Sequence, residues 1–521
     1  TIANRLGWLT SPVLMIESLA RLAAFADGVG RDGFTHVVLL GMGGSSLAPE
    51  VLRSALPARP GRPRLQMLDS TDPAAVRAIA APPGTTLYLL ASKSGGTVEP
   101  NSLAAHFRSR LEHAGVARWA DHFVAITDEG TSLARRARAE GFRDIFINPS
   151  DIGGRYSALS FFGLVPAALM GHDLAALLGW GVAMLAASEP GGDTARNPAV
   201  ALGLAIGAAA LAGRDKLTVL LPPELRAFGL WIEQLVAEST GKRGVGVIPI
   251  VGEPLAPAAA YGTDRMFVCV NRGPETHGEV RALKEAGLPV AAIDLPAPEA
   301  LGAEFLRWEI ATAIAGALLS VNPFDEPNVQ QAKDATRVLL EEHRSQGRFA
   351  LGQPDITLAD GLTLTLTTAA RTRLAGSGAA ASLHLLRPGD YFAVLAFLGP
   401  DSALAAHLDR LRVAVRDRLG VATMCGYGPR YLHSTGQLHK GGPDTGVYLL
   451  ITAAPEVDVA IPGEEFSFGT LEQAQALGDF ASLERAGRRA VHAHLPSPDP
   501  QLLGSLADTL LQHAPPPESS V

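Results

Sequence analysis

The sequence predicts an α/β protein of two doubly wound parallel-sheet units followed by a third, smaller α/β unit. Three observations carry that prediction. Short apolar runs end in clusters of glycine and hydroxyl residues, amphipathic stretches separate the runs, and the same plan starts again after residue 190. Strands that alternate with helices in this way build parallel sheets covered by helices.

The elements follow in order. "HVVLLGMGGSS" (36–46) reads as a strand entering a glycine-rich loop, with a helix from about Ala48. "TLYLLASKSGG" (86–96) repeats the plan, "HFVAITDEGTS" (122–132) is a third strand with a helix behind it, and "FRDIFINPSDIGG" (142–154) is a fourth. The Pro/Gly-rich "ASEPGGDTARNP" (187–198) marks a seam. Beyond it come a helix over 199–212, the strand "KLTVLLP", a helix over 224–240, the strands "VGVIPIVG", "RMFVCVN" and "PVAAIDL", and a long helix near 301–319. The polar "EEHRSQGRFALGQPD" (341–355) is the next boundary, and "YFAVLAFLG" and "TGVYLLITAA" are strands of the last unit. The expected domains are therefore 1–190, 191–345 and 346–521, with the tail "HAPPPESSV" frayed.

Composition narrows the function. A chain of 521 residues exceeds one core, and 47% hydrophobic with 18% charged residues is globular rather than disordered. The net charge of −8 gives no basic footprint for nucleic acid, so an anionic ligand needs a local positive pocket. Two cysteines, Cys269 and Cys425, make neither a disulfide framework nor a zinc site and fit a reducing, cytoplasmic setting. No apolar run reaches the roughly 18 residues of a membrane span.

The strand tips are where such sheets hold ligands. In "SKSGGT" (92–97), Ser92, Lys93, Ser94 and Thr97 surround two glycines ahead of a helix. Hydroxyls, bare N–H groups and a helix N-terminus together suit a phosphate dianion. A turn that merely caps the next helix reads equally well, and the GxxxxGK[ST] spacing of nucleotide triphosphatases is absent. "GMGGSS" (41–46), with Gly44 and Ser45, is a second such tip that alone reads as a tight turn. "DIGGRYS" (151–157) sets Arg155 behind two glycines, either to steady an oxyanion or to pair with a carboxylate such as Asp151. Gln234 and Glu238 share one face of a helix that Gly241 stops. At the negative end of that helix, and if buried, Glu238 would have a raised pKa suited to a general base; on the surface it would be an ordinary solvated glutamate. "YLHSTGQLHKGGP" (431–443) carries His433 and His439, whose i,i+6 spacing matches no helical metal pair.

Read together, "GMGGSS", "SKSGGT", "GGRYS", "QLVAESTGK" and "NPFDEPNVQQAK", in that order over essentially the whole chain, resemble the phosphoglucose isomerase family. The likeness is greatest to the isomerase half of fused transaldolase–phosphoglucose isomerases. It implies two sugar-isomerase domains, a homodimer that binds a hexose phosphate, and neither metal nor redox cofactor. Residue by residue, it implies that Ser92, Lys93, Ser94 and Thr97 hold the 6-phosphate and that Gly44 and Ser45 line the sugar. Arg155 would steady the enediolate beside Gln234, Glu238 would move the proton between C2 and C1, and Lys333 would assist ring opening. The match has departures. Glu326, Asn328 and Gln330 stand where the family has Gln, Gly and Glu, and Phe161 where it has a small residue or proline. His277 is the only histidine between Glu238 and Lys333 and does not match the family's ring-opening histidine. His433 or His439 is expected to replace it, from this chain or a neighbouring subunit. The rival readings are a sugar-phosphate sensor without catalysis and an isomerase of another phosphosugar.

Overall fold

The computed structural model describes residues 2–191, 196–271, 277–349 and 352–516, so part of the expected seam and the end of the tail lie outside the described residues. The first sheet contains β1 (His36–Leu40), β2 (Arg64–Leu68), β3 (Thr86–Ala91), β4 (Phe123–Asp128) and β5 (Asp144–Asn148), all parallel, in the order β2-β1-β3-β4-β5. β3 and β4 are buried along their whole length, which is why they read as unbroken apolar runs. β2 went unread because "RLQML" is an edge strand with exposed and half-exposed positions. Strand order reverses between β1 and β3. The loops leaving those two strands therefore diverge to opposite faces and open a crevice at their carboxyl ends.

The second sheet contains β6 (Lys216–Leu220), β7 (Ile248–Val251), β8 (Arg265–Asn271) and β9 (Val290–Asp294), again parallel, in the order β7-β6-β8-β9. Pro249 is tolerated because β7 is an edge. One apolar core joins the two sheets. It runs from Val37 and Leu39 of β1 through Val51 and Leu52 to Leu235 and Val236 of the helix Arg226–Thr240, and on to Leu217 and Val219 of β6. This shared core presses the helix Arg226–Thr240 against the helix Leu47–Ala55 and carries its C-terminal turn toward the first-sheet crevice.

The third unit is a further α/β unit. Its sheet is the largest of the three, with six strands: β10 (Ile356–Thr357), β11 (Thr363–Leu366), β12 (Tyr391–Phe397), β13 (Ala422–Tyr427), β14 (Gly446–Ala453) and β15 (Arg489–Leu495), in the order β10-β11-β15-β14-β12-β13. Only β12 and β14 are long apolar runs, and the other four are short or interrupted by polar residues. The unit is not peripheral. Phe468 and Leu471 of the helix Phe468–Arg485 complete the core on the second face of the first sheet. Tyr391, Ala393 and Leu395 pack on Ile248 and Ile250 of β7. The helix Val329–Gln346, assigned by sequence largely to the second unit, lies along Phe468–Arg485. Among the described residues no single helix is long and apolar enough to cross a membrane.

Candidate active site

The crevice between β1 and β3 deepens into a cavity of about 560 Å³. Its lining includes Gly44, Ser45, Lys93, Ser94, Thr97, Arg155, Gln234, Glu238, Lys333 and His433. The loop after β1 lies directly against the loop after β5. A Cβ on Gly44 would stand 2.0 Å from the Gly154 carbonyl oxygen, so only glycine permits that approach. Gly43, at φ +53°, makes a second close approach, to the His433 carbonyl.

The loop after β3 forms a hydroxyl cradle. Thr97 is the N-cap of the helix Val98–His113, and its Oγ1 lies 3.0 Å from Ser92 Oγ and 3.4 Å from Ser94 Oγ. Ser94 and Thr97 face the cavity. Ser92 does not: it is buried beneath the loop, where its Oγ accepts from Gly95 N–H at 3.2 Å and fixes the turn. Lys93 lines the cavity, but its ammonium is paired with Asp128 and also donates to the Ser150 carbonyl at 3.2 Å. Arg5 is a further cation on the cavity wall, one that no motif singled out.

Glu238 and Arg155 meet at the cavity floor. Arg155 Nη1 lies 2.9 Å from Glu238 Oε1, and Gln234 Nε2 donates to Glu238 Oε2 at 3.1 Å and to the His433 carbonyl at 2.7 Å. Glu238 is 9% exposed and Arg155 3%. Burial raises the Glu238 pKa above the ordinary carboxylate value; Arg155 pulls it back and the nearby Glu326 carboxylate pushes it further up. Arg155 is therefore not paired with Asp151. Its Nε donates to Ser239 Oγ at 2.8 Å and its Nη2 to the carbonyls of Pro323 at 2.7 Å and Asp325 at 2.9 Å. Lys242, just past the same helix, clamps that segment by pairing with Asp325 at 2.8 Å, and burial brings its pKa down to about 8.

The two histidines separate. His433 reaches the cavity from its own chain, on the turn after β13, with Nε2 2.8 Å from Glu99 Oε1. Gln475 Nε2 donates to the same oxygen at 2.7 Å. Burial would raise the Glu99 carboxyl, but the charge and hydrogen bond of His433 outweigh it and hold the carboxyl below its usual range. His439 does not reach the cavity. It is fully buried between Tyr431 and Tyr448, and burial drives its pKa well below that of free imidazole, so the expectation that it shares the site is corrected. The His277 and Gln330 side chains lie outside the described residues. Sequence reasoning missed Glu99, Gln475 and Ser239. Glu99 is an acid in the first turn of its helix, and its burial under the helix Phe468–Arg485 is a long-range fact.

Comparison with known proteins identifies the family. A family model described as phosphoglucose isomerase matches residues 21–247, a narrower stretch than the motifs suggested. A glucose-6-phosphate isomerase of Thermosynechococcus vestitus is 32% identical over 356 residues, which cover 60% of this chain and 67% of the relative. The chain belongs to the phosphoglucose isomerase family. A second such relative, from Synechococcus sp. strain CC9605, is 30% identical over 68% of this chain and 76% of its own length. Among solved structures, a hypothetical protein of Thermus thermophilus superposes with TM-score 0.58 at 27% identity, covering 64% of this chain and 90% of that one. A glucose-6-phosphate isomerase of Chlamydia trachomatis superposes with TM-score 0.55 at 22% identity over 63% and 74%, a likeness of fold.

Proposed function

We propose that the protein interconverts glucose 6-phosphate and fructose 6-phosphate through a cis-enediolate, as an enzyme of glycolysis and gluconeogenesis. One observation carries the reading. A buried carboxylate with a raised pKa, Glu238, sits against a buried guanidinium, Arg155, in the same cavity as a hydroxyl loop at a helix N-terminus. A sensor that only binds a sugar phosphate has no use for the first pair.

In this reading the phosphate rests on Ser94, Thr97 and the N-terminus of the helix Val98–His113, where hydroxyls and N–H groups suit a dianion. Gripping a remote group lets binding energy orient the reacting carbons. His433, tied to Glu99, exchanges protons with the ring oxygen as the ring opens, and Lys333 lines the same wall. Glu238 then takes the C2 proton and returns it to C1, while Arg155 steadies the charge on oxygen. The proposal includes the 1–190 and 191–345 domains as the sugar-isomerase pair, a homodimer in the cytoplasm, and the kinship with transaldolase-fused enzymes.

Supplying fructose 6-phosphate and following glucose 6-phosphate tests the reaction; no interconversion would refute it, and turnover of a different phosphosugar alone would redirect it. Replacing Ser94 and Thr97 together by alanine is expected to raise KM for the phosphorylated sugar about tenfold or more, since hydrogen bonds to a charged group contribute roughly 1.5–3 kcal/mol each. Equal weakening of phosphorylated and unphosphorylated sugars would remove the phosphate from that loop.

A further inference from the structure

Arg155 meets the cavity through a single nitrogen. Its Nε and Nη2 are committed to framework acceptors: Ser239 Oγ and the carbonyls of Pro323 and Asp325. Only Nη1 faces side chains of the cavity, and both of its neighbours are carboxylates, Glu238 Oε1 at 2.9 Å and Glu326 Oε2 at 3.1 Å. A terminal guanidinium nitrogen carries two hydrogens. Nη1 donates its hydrogen bond to Glu326 Oε2 and is paired with Glu238 by charge, so an oxygen of the sugar that gains charge meets Glu326 as its competitor for that nitrogen.

The two carboxylates are not equally free to withdraw. Glu238 is held at its second oxygen by Gln234, and its side chain is 12% exposed. The Glu326 side chain is 39% exposed on the turn that follows Asp325. A partly exposed ion pair is weak, because water replaces the partner at little cost. The backbone beneath it stays in place, since Lys242 donates to the Asn322 and Asp325 carbonyls. The side chain alone can swing.

We infer that Glu326 competes with the reacting oxygen of the sugar for Nη1 of Arg155, so that productive binding exchanges this carboxylate for that oxygen. The inference rests on the isomerase reading above and names the residue that tunes how tightly its substrate is held.

The same carboxylate adds to the negative field on Glu238. The groups that face Glu238 are Arg155 and Tyr156 from the turn after β5, Gln234 from its own helix, Lys242 just beyond it, and Glu326. Removing Glu326 leaves Glu238 easier to ionise.

The test compares Glu326→Ala and Glu326→Gln with the wild type, using fructose 6-phosphate over a full pH range. KM should fall about threefold or more in Glu326→Ala, the scale of a partly exposed ion pair, and less in Glu326→Gln, whose amide oxygen still accepts from Nη1. In both, the acid limb of kcat/KM should move to lower pH. An unchanged or higher KM, or an unmoved acid limb, in an active enzyme overturns the inference and leaves the isomerase reading standing. Loss of turnover as deep as that of Glu238→Gln overturns it too, since Glu326 would then be a reacting group. A wild type that interconverts no sugar phosphates ends the isomerase reading and the inference with it.

Discussion

Glu238→Gln is expected to keep its fold and lose turnover by roughly 10²–10⁴-fold, the usual contribution of a positioned general base. The amide has the shape of the carboxylate, and its oxygen can still lie against Arg155 Nη1. The other carboxylate oxygen, which now accepts from Gln234 Nε2, becomes an NH2 facing a donor. Gln234 can flip to present its Oε1, which is buried without a protein partner, at the cost of its bond to the His433 carbonyl. The structural penalty is therefore small and local, whereas the proton acceptor is gone. Two measurements separate these effects: conversion of fructose 6-phosphate, and exchange of the C2 proton of glucose 6-phosphate with deuterated solvent. Wild-type-like exchange in the variant would rule Glu238 out as the base. The pH profile carries an independent sign. A base works deprotonated, and burial has moved the Glu238 pKa upward, so wild-type activity should fall as pH drops through a value above the ordinary 4.5 of a glutamate. The residual activity of the variant should lack that limb.

Arg155→Lys is expected to fail in two ways at once. The guanidinium serves Ser239, two carbonyls and two carboxylates in directions that only a planar fork can satisfy. An ammonium has three donors on one atom, so buried acceptors lose partners, a loss of about 1–3 kcal/mol for each. Unfolding by urea should show a lower midpoint with the slope unchanged. Chemistry should suffer separately: without a donor fixed where oxygen gains charge, kcat should drop by about 10²–10³-fold. A variant that is destabilised but retains kcat would mean that Arg155 only braces the segment 322–326.

Much of this could be read from local chemistry. The apolar runs of β1, β3, β4, β6 and β8 are visible because strands buried on both faces carry no alternation. The glycines at 43 and 44 read as a tight turn, whose close approach to the neighbouring loop only the fold reveals, and the stop at Gly241 placed Glu238 in a last helical turn. Edge strand β2 and the short strands β10 and β11 stayed hidden, because a half-exposed five-residue run and two- and four-residue runs carry too little pattern. His433 and His439 are chemically identical in the sequence and differ only in what lies above them. One opens on the cavity beside Glu99, and the other is sealed between two tyrosines.

The sequence alone determined that this chain folds as repeated parallel α/β units with an anion-suited hydroxyl loop at one strand tip. Those properties depend on residues within one turn or one strand of each other. Which carboxylate faces Arg155, which histidine is available, and how the third unit brings His433 to the cavity were decided by the tertiary structure alone. These follow from contacts between residues tens to hundreds of positions apart, such as Arg155 with Glu238 and Glu99 with His433 and Gln475. Burial, which sets the pKa of a base and the strength of an ion pair, exists only once those distant segments have packed together.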